Sequence, residues 1–177
     1  MADRIIPHYE RHAHAWDADR RRGSWNDKPW PDRFVSVLPI GASVLDLGCG
    51  SGAPVALNMV ACGLAVTGID ASPSLVTLCR ERMPGHRWIV GDMRFPPLSQ
   101  RFDGILAWDS FFHLRPDDQR RMFRVFAKHI GRRAVLRPPG RTDVQRGTGA
   151  PRGSRELPGR PALSRQFGPC GLREATR

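Results

Sequence analysis

From Val44 onward, short apolar runs alternate with segments whose apolar residues recur every three or four positions. This alternation predicts a parallel β-sheet wrapped by crossover helices, an α/β fold. Residues 44–47 read as a buried strand. A glycine-rich turn follows, then a helix with Pro54 near its first turn and Gly63 as its stop. Residues 64–69 form the next strand. Ser72 and Pro73 suit the N-cap and first position of a second helix, with Leu75, Val76, Leu78 and Cys79 as its apolar stripe and Pro84 at its end. Residues 87–90 and 102–107 read as the third and fourth strands. A helix is predicted over 117–130, with acids in its first turn, Lys128 and His129 in its last and Gly131 behind it. Residues 134–136 would begin a fifth strand. The first 38 residues are polar and aromatic, and predict one or two helices lying against the sheet.

Composition and charge change the picture at one end only. The chain has 177 residues, 40% hydrophobic and 25% charged, enough for one sizeable core. The net charge of +11 is uneven: residues 131–177 hold 11 Arg and only three acids. That stretch also contains 8 Gly and 6 Pro, and no Lys, Ile, Asn, Tyr, Trp, His or Met, so it has too little apolar surface to offset its ordering entropy. Residues 138–177 are therefore expected to be a disordered tail. Arg, Gly, Pro and Ala have GC-rich codons, and a frameshift near codon 132 of a GC-rich gene accounts for the sudden change. No CxxC pair, signal core or membrane-length apolar run is present, which points to a cytoplasmic protein without a membrane partner.

The candidate chemistry sits in VLDLGCGSGAP, residues 44–54. A strand, a glycine turn and a helix N-terminus let backbone approach a ligand closely, which suits any nucleotide. Gly48, Gly50 and Ala53 fit the dinucleotide fingerprint G-x-G-x-x-G/A, and Asp70 lies where a ribose-binding acid belongs, so an NAD(P)-dependent oxidoreductase is one reading. Asp46 opposes it. A carboxylate two residues before the first glycine would face a pyrophosphate, whereas a cationic ligand would suit it.

VLDLGCGSG, followed by TGIDAS and then VGDMRF, resembles the class I S-adenosylmethionine-dependent methyltransferases over roughly residues 44–130. The resemblance implies a Rossmann-like sheet with flanking helices whose C-terminal strands are missing here. It also implies S-adenosylmethionine as cofactor and a small-molecule methyl acceptor. Asp46, Gly48, Gly50 and Gly52 match the loop that cradles the methionine part, and Asp70 the acid that accepts the ribose hydroxyls. Ala71 lies beside the adenine, Asp92 matches the acid that meets its amino group, and Met93 can lie flat on the ring. Trp108 would face the methionine and the acceptor. On this basis residues 1–38 form a helical lid, residues 39–137 an incomplete methyltransferase domain, and activity is impaired by the aberrant C-terminus.

Other residues have weaker claims. Tyr9 and Trp25 could close over a sulfonium through cation-π contact. Asp109 and His113 are the polar groups near the transfer point that could serve as a base, and either could be structural. His8, His12, His14 and His113 lack partners for a metal set, so no metal is expected. Binding of nucleic acid through the basic tail is a further alternative, and a weak one, because only Phe167 is there to stack on bases.

Overall fold

The computed structural model describes residues 2–137, with side chains described over residues 5–131. These fall within one compact unit, Met1–Pro139; the other, Gly140–Arg177, lies outside the described residues, as does the expectation of a disordered tail.

Five strands form one parallel sheet in the order β3-β2-β1-β4-β5: β1 (Ser43–Leu47), β2 (Ala65–Asp70), β3 (Arg87–Val90), β4 (Phe102–Leu106) and β5 (Ile130–Arg137). The helices are α1 (Ala2–Arg22), α2 (Pro29–Ser36), α3 (Val55–Ala61), α4 (Pro73–Arg82) and α5 (Pro116–His129), with a single 3-10 turn at Phe111–His113. The strand order reverses between β1 and β4. An open α/β sheet binds ligands outside the carboxyl ends of its strands at that point.

Strand alternation builds the two cores. Leu45, Leu47, Ile105 and Ala107 pack with Met122 and Phe126 of α5 on one face. Val44, Leu106 and Trp108 pack with Ala56 and Met59 of α3 and Phe34 of α2 on the other. Because side chains alternate with a period of two, Asp46 shares the face of Val44. Gly104 is glycine because a Cβ there would lie 2.8 Å from the Phe34 ring.

Local signals in the sequence match the helix ends. Ser72 caps α4 by accepting the Leu75 N–H at 3.2 Å. Gly63 follows α3 at φ +77°, the left-handed geometry of a glycine stop. Gly131 differs from expectation: α5 runs straight into β5, which starts at Ile130 rather than Ala134. Gly131 belongs to that strand, where a Cβ would sit 3.0 Å from the Phe102 carbonyl. The pairing of β4 with β5 shifts register between Phe102 and Gly104, absorbing the extra residues.

α1 is bent at His12, whose φ of −113° and ψ of 15° lie outside the helical range. Asp17, in its second half, is almost fully buried, and its carboxylate takes both Nη atoms of Arg82 on α4, at 2.7 and 2.5 Å. This pair ties α1 to the sheet domain. No described helix is long and apolar enough to cross a membrane.

Candidate functional site

A cavity of about 950 Å³, open mouth included, lies at the carboxyl ends of β1, β2, β3 and β4, with α1 across it. Asp46, Gly48, Gly50, Asp70, Ala71, Asp92, Met93 and Trp108 all line it, as do Tyr9, Asp109 and His113. Residues dispersed over a hundred positions meet here because parallel strands all present their carboxyl ends to one side.

The glycine loop comes close to its surroundings. Gly48 and Gly50 have φ of +76° and +56°. A Cβ on Gly48 would collide with the Ser110 side chain, and one on Gly50 would lie 2.9 Å from the Trp16 ring. Gly52, also at positive φ, does not line the cavity. A Cβ there would press on Cys79 and on Met83, 2.5 Å from its terminal carbon, so Gly52 lets the loop pack against α4.

The carboxylates differ in state. Asp46 is buried and has no hydrogen bond or ion pair among the described residues; burial, and secondarily the charge of Asp70, push its pKa up to about 7. Asp70 accepts the Gly50 N–H and the Ser72 N–H, each at 2.9 Å, one on each oxygen. Its pKa is raised by burial against the opposing pull of those donors. A carboxylate can accept about four hydrogen bonds, so Asp70 keeps capacity on both oxygens.

Asp92 lines the cavity as expected, but its carboxylate is already engaged. The Arg94 guanidinium contacts it at 2.6 to 3.0 Å, the Arg94 N–H adds a bond of 2.8 Å, and Arg94 also reaches Asp118 on α5. Burial opposes its ionisation, but the Arg94 contacts prevail and its pKa lies below the usual range. The sequence contains the pair as GDMR, without any indication that the arginine turns back.

The roof comes from α1, which places Ile5, Ile6, Tyr9, Trp16 and Arg20 on the cavity. The Tyr9 hydroxyl lies 3.1 Å from His113 Nε2. Arg20 donates to Asp109 at 3.0 Å, and its guanidinium lies over Trp16. Asp109 holds φ at +53°, rare for a residue with a side chain and often found at functional sites. Burial lowers the His113 pKa, opposed by the Asp109 charge, so its imidazole is neutral at pH 7. Trp108 donates its indole N–H to Asp27 at 2.7 Å. Trp25 does not reach this cavity; it lines a neighbouring depression, with Lys28 over its ring. The aromatic ring that meets the glycine loop is Trp16, which no spacing pattern distinguishes from the other polar-aromatic positions of α1. No group of three or more His, Cys, Asp or Glu side chains among the described residues is arranged to hold a metal ion.

Strand order, glycine loop and cavity position together define a Rossmann-like α/β protein with a nucleotide-type site. Residues 44–133 match the methyltransferase domain family, and the chain belongs to it. A 27-O-demethylrifamycin SV methyltransferase from Amycolatopsis mediterranei is 29% identical over 146 residues, 71% of this chain and 50% of that protein. A tRNA (carboxymethyluridine(34)-5-O)-methyltransferase from Xenopus tropicalis is 31% identical over 94 residues, 52% of this chain and 14% of that protein. The chain thus spans half or less of both relatives. Among solved structures, a TehB-like SAM-dependent methyltransferase from Corynebacterium glutamicum superposes with a TM-score of 0.57 at 28% identity, covering 73% of this chain and 72% of that one. SAM-bound CalS10, an amino pentose methyltransferase from Micromonospora echinaspora, gives 0.58 at 29% identity, over 72% and 57%.

Proposed function

We propose that this protein transfers a methyl group from S-adenosylmethionine to a small-molecule acceptor. The observation that carries the reading is the pairing, in one cavity, of a buried Asp46 that has no partner among the described residues with an Asp70 that backbone donors hold in place. The buried Asp46 carboxylate fits a cation, because an opposite charge removes the cost of ionising it away from water. A pyrophosphate would raise that cost. When bound, the cofactor supplies a methyl group on a positively charged sulfur, an inherently good leaving group.

Within this reading the chain's own residues mainly bind and orient. Gly48 and Gly50 keep the loop backbone close to the ligand. Asp70 accepts from the ribose hydroxyls with its remaining lone pairs, each bond to a charged group contributing about 1.5–3 kcal/mol. Ala71 and Met93 flank the adenine, and Asp92 meets it as a carboxylate shared with Arg94. Gly52 supports the loop from behind. Trp108 lies toward the transfer point, and the lid, residues 1–38, excludes water. Alignment of acceptor and methyl in a dry site is the main source of rate. Both candidate bases are already engaged, Asp109 by Arg20 and His113 Nε2 by the Tyr9 hydroxyl, and burial lowers the His113 pKa.

A small acceptor is favoured because the relative named for a small-molecule substrate aligns over 71% of this chain, against 52% for the tRNA enzyme. Calorimetric titration tests the cofactor. S-adenosylhomocysteine is expected to bind and NADH not to, with Asp70→Ala weakening the former about tenfold or more. NADH binding without S-adenosylhomocysteine binding would overturn the reading.

A further inference from the structure

The ribose-side loop of the cavity is joined to α1 by a side chain that stood out in no sequence pattern. Glu10, on the face of α1 toward α4, accepts from the Ser72 hydroxyl at 2.5 Å, from the Ser74 hydroxyl at 2.6 Å and from the Ser74 N–H at 3.2 Å. Ser72 has three roles. Its hydroxyl oxygen caps α4 by accepting from Leu75, its hydroxyl hydrogen goes to Glu10, and its N–H goes to Asp70 Oδ1. A chain of hydrogen bonds thus runs from α1 through Ser72 to Asp70, and on from Asp70 Oδ2 to the Gly50 N–H of the glycine loop.

We infer that Glu10 is a positioning residue for cofactor binding, holding Asp70 and the start of α4 in the geometry that accepts the ribose when α1 lies over the cavity. The inference rests on the methyltransferase reading for the ligand, and on the hydrogen-bond chain for the mechanism. Three donors converge on one carboxylate, which also places a negative charge at the N-terminus of a ten-residue helix, where the helix dipole favours it. The Ser72 and Ser74 hydroxyls keep the Glu10 carboxyl ionised below the usual range.

Position along α1 gives the contact its effect. Glu10 and Tyr9 precede the bend at His12, and Asp17 and Arg20 follow it. The second half is held by the Asp17–Arg82 pair. The first half, which brings Ile5, Ile6 and Tyr9 over the cavity, is held by Glu10 on Ser72 and Ser74 and by Tyr9 on His113. Covering the cavity and ordering the ribose acid are thus one event, because the same carboxylate does both. The Glu10 charge raises the Asp70 pKa, but less than burial does.

A double-mutant cycle on the full chain, with S-adenosylhomocysteine as probe and calorimetry as readout, tests it. Glu10→Ala is expected to weaken binding about tenfold in the wild-type background and less than about twofold in Asp70→Ala, because its effect passes through Asp70. Glu10→Gln, which keeps an acceptor oxygen, should bind within about threefold of wild type. The circular-dichroism melting curve of each variant shows whether it is folded. If Glu10→Ala does not melt cooperatively, Ser74→Ala takes its place in the cycle, with the same non-additivity expected at smaller amplitude. Equal losses in both backgrounds, or no loss in either, would overturn the role of Glu10. Failure of the wild-type chain to bind the probe would instead overturn the cofactor reading.

Discussion

In the proposed function, Asp46 is the residue that favours a cationic ligand. It is the penultimate residue of β1, on the same face as the apolar Val44, and no described residue pairs with it. With a pKa of about 7, it is favoured in its protonated form by the folded chain. Its contribution to stability is therefore fully present below the ordinary carboxylate range and is lost as pH rises toward 7. A cationic ligand reverses the preference, since it favours the carboxylate. The affinity for S-adenosylmethionine is thus expected to rise between pH 6 and pH 8, with a slope below pH 7 of at most about tenfold per unit. Calorimetry across that range should show a flattened slope in Asp46→Asn. An equal slope in both proteins would assign the pH dependence to another group.

At the scale of elements, much of the fold was legible in the chain. The third strand was read at residues 87–90 and lies there; the second and fourth were read within one residue of their ends. The α4 cap was read from Ser72 and Pro73. These signals are local, made by neighbouring residues and by a two- or four-residue period. The start of β5 was missed because Gly131 resembles a helix stop, while the constraint that selects glycine there is the Phe102 carbonyl on the adjacent strand. The anchoring of α1 was equally invisible, since Asp17 and Arg82 are 65 positions apart. Asp17→Ala would leave the half-buried Arg82 guanidinium without its carboxylate. We expect a loss of about 1–3 kcal/mol in urea unfolding and faster hydrogen exchange along α1, with the exchange of β1 and β4 changed only by the global loss. Unchanged exchange along α1 would show that other contacts hold it.

For the molecule as a whole, the cavity joins four strand ends and a helix from the N-terminal segment, so a ligand there should stabilise all of them together. Saturation with S-adenosylhomocysteine at about 100 times its dissociation constant is expected to add about 2.7 kcal/mol, seen as a raised melting temperature. NADH at the same concentration should leave the melting temperature unchanged. The family match ends at residue 133, close to where composition changes. A frameshift there predicts that the coding DNA, read in another frame after about codon 132, continues a strand-and-helix pattern. Low-complexity sequence in every frame would refute it.

The alternation of strands and helices and the class of the fold were legible in the chain alone, and eight of the nine residues read there as cofactor candidates line one cavity. Each of those signals is written within a few residues, in side-chain period, capping chemistry and glycine spacing. Three-dimensional packing supplied the rest: that Gly52 supports the loop from behind, that Asp92 is shared with Arg94, that Trp16 rather than Trp25 meets the glycines, and that Glu10 reaches Ser72 and Ser74. These depend on which surfaces are packed against one another in three dimensions. A helix presents several polar and aromatic side chains at equivalent spacing, and only the position of α1 over the sheet selects the ones that touch the site.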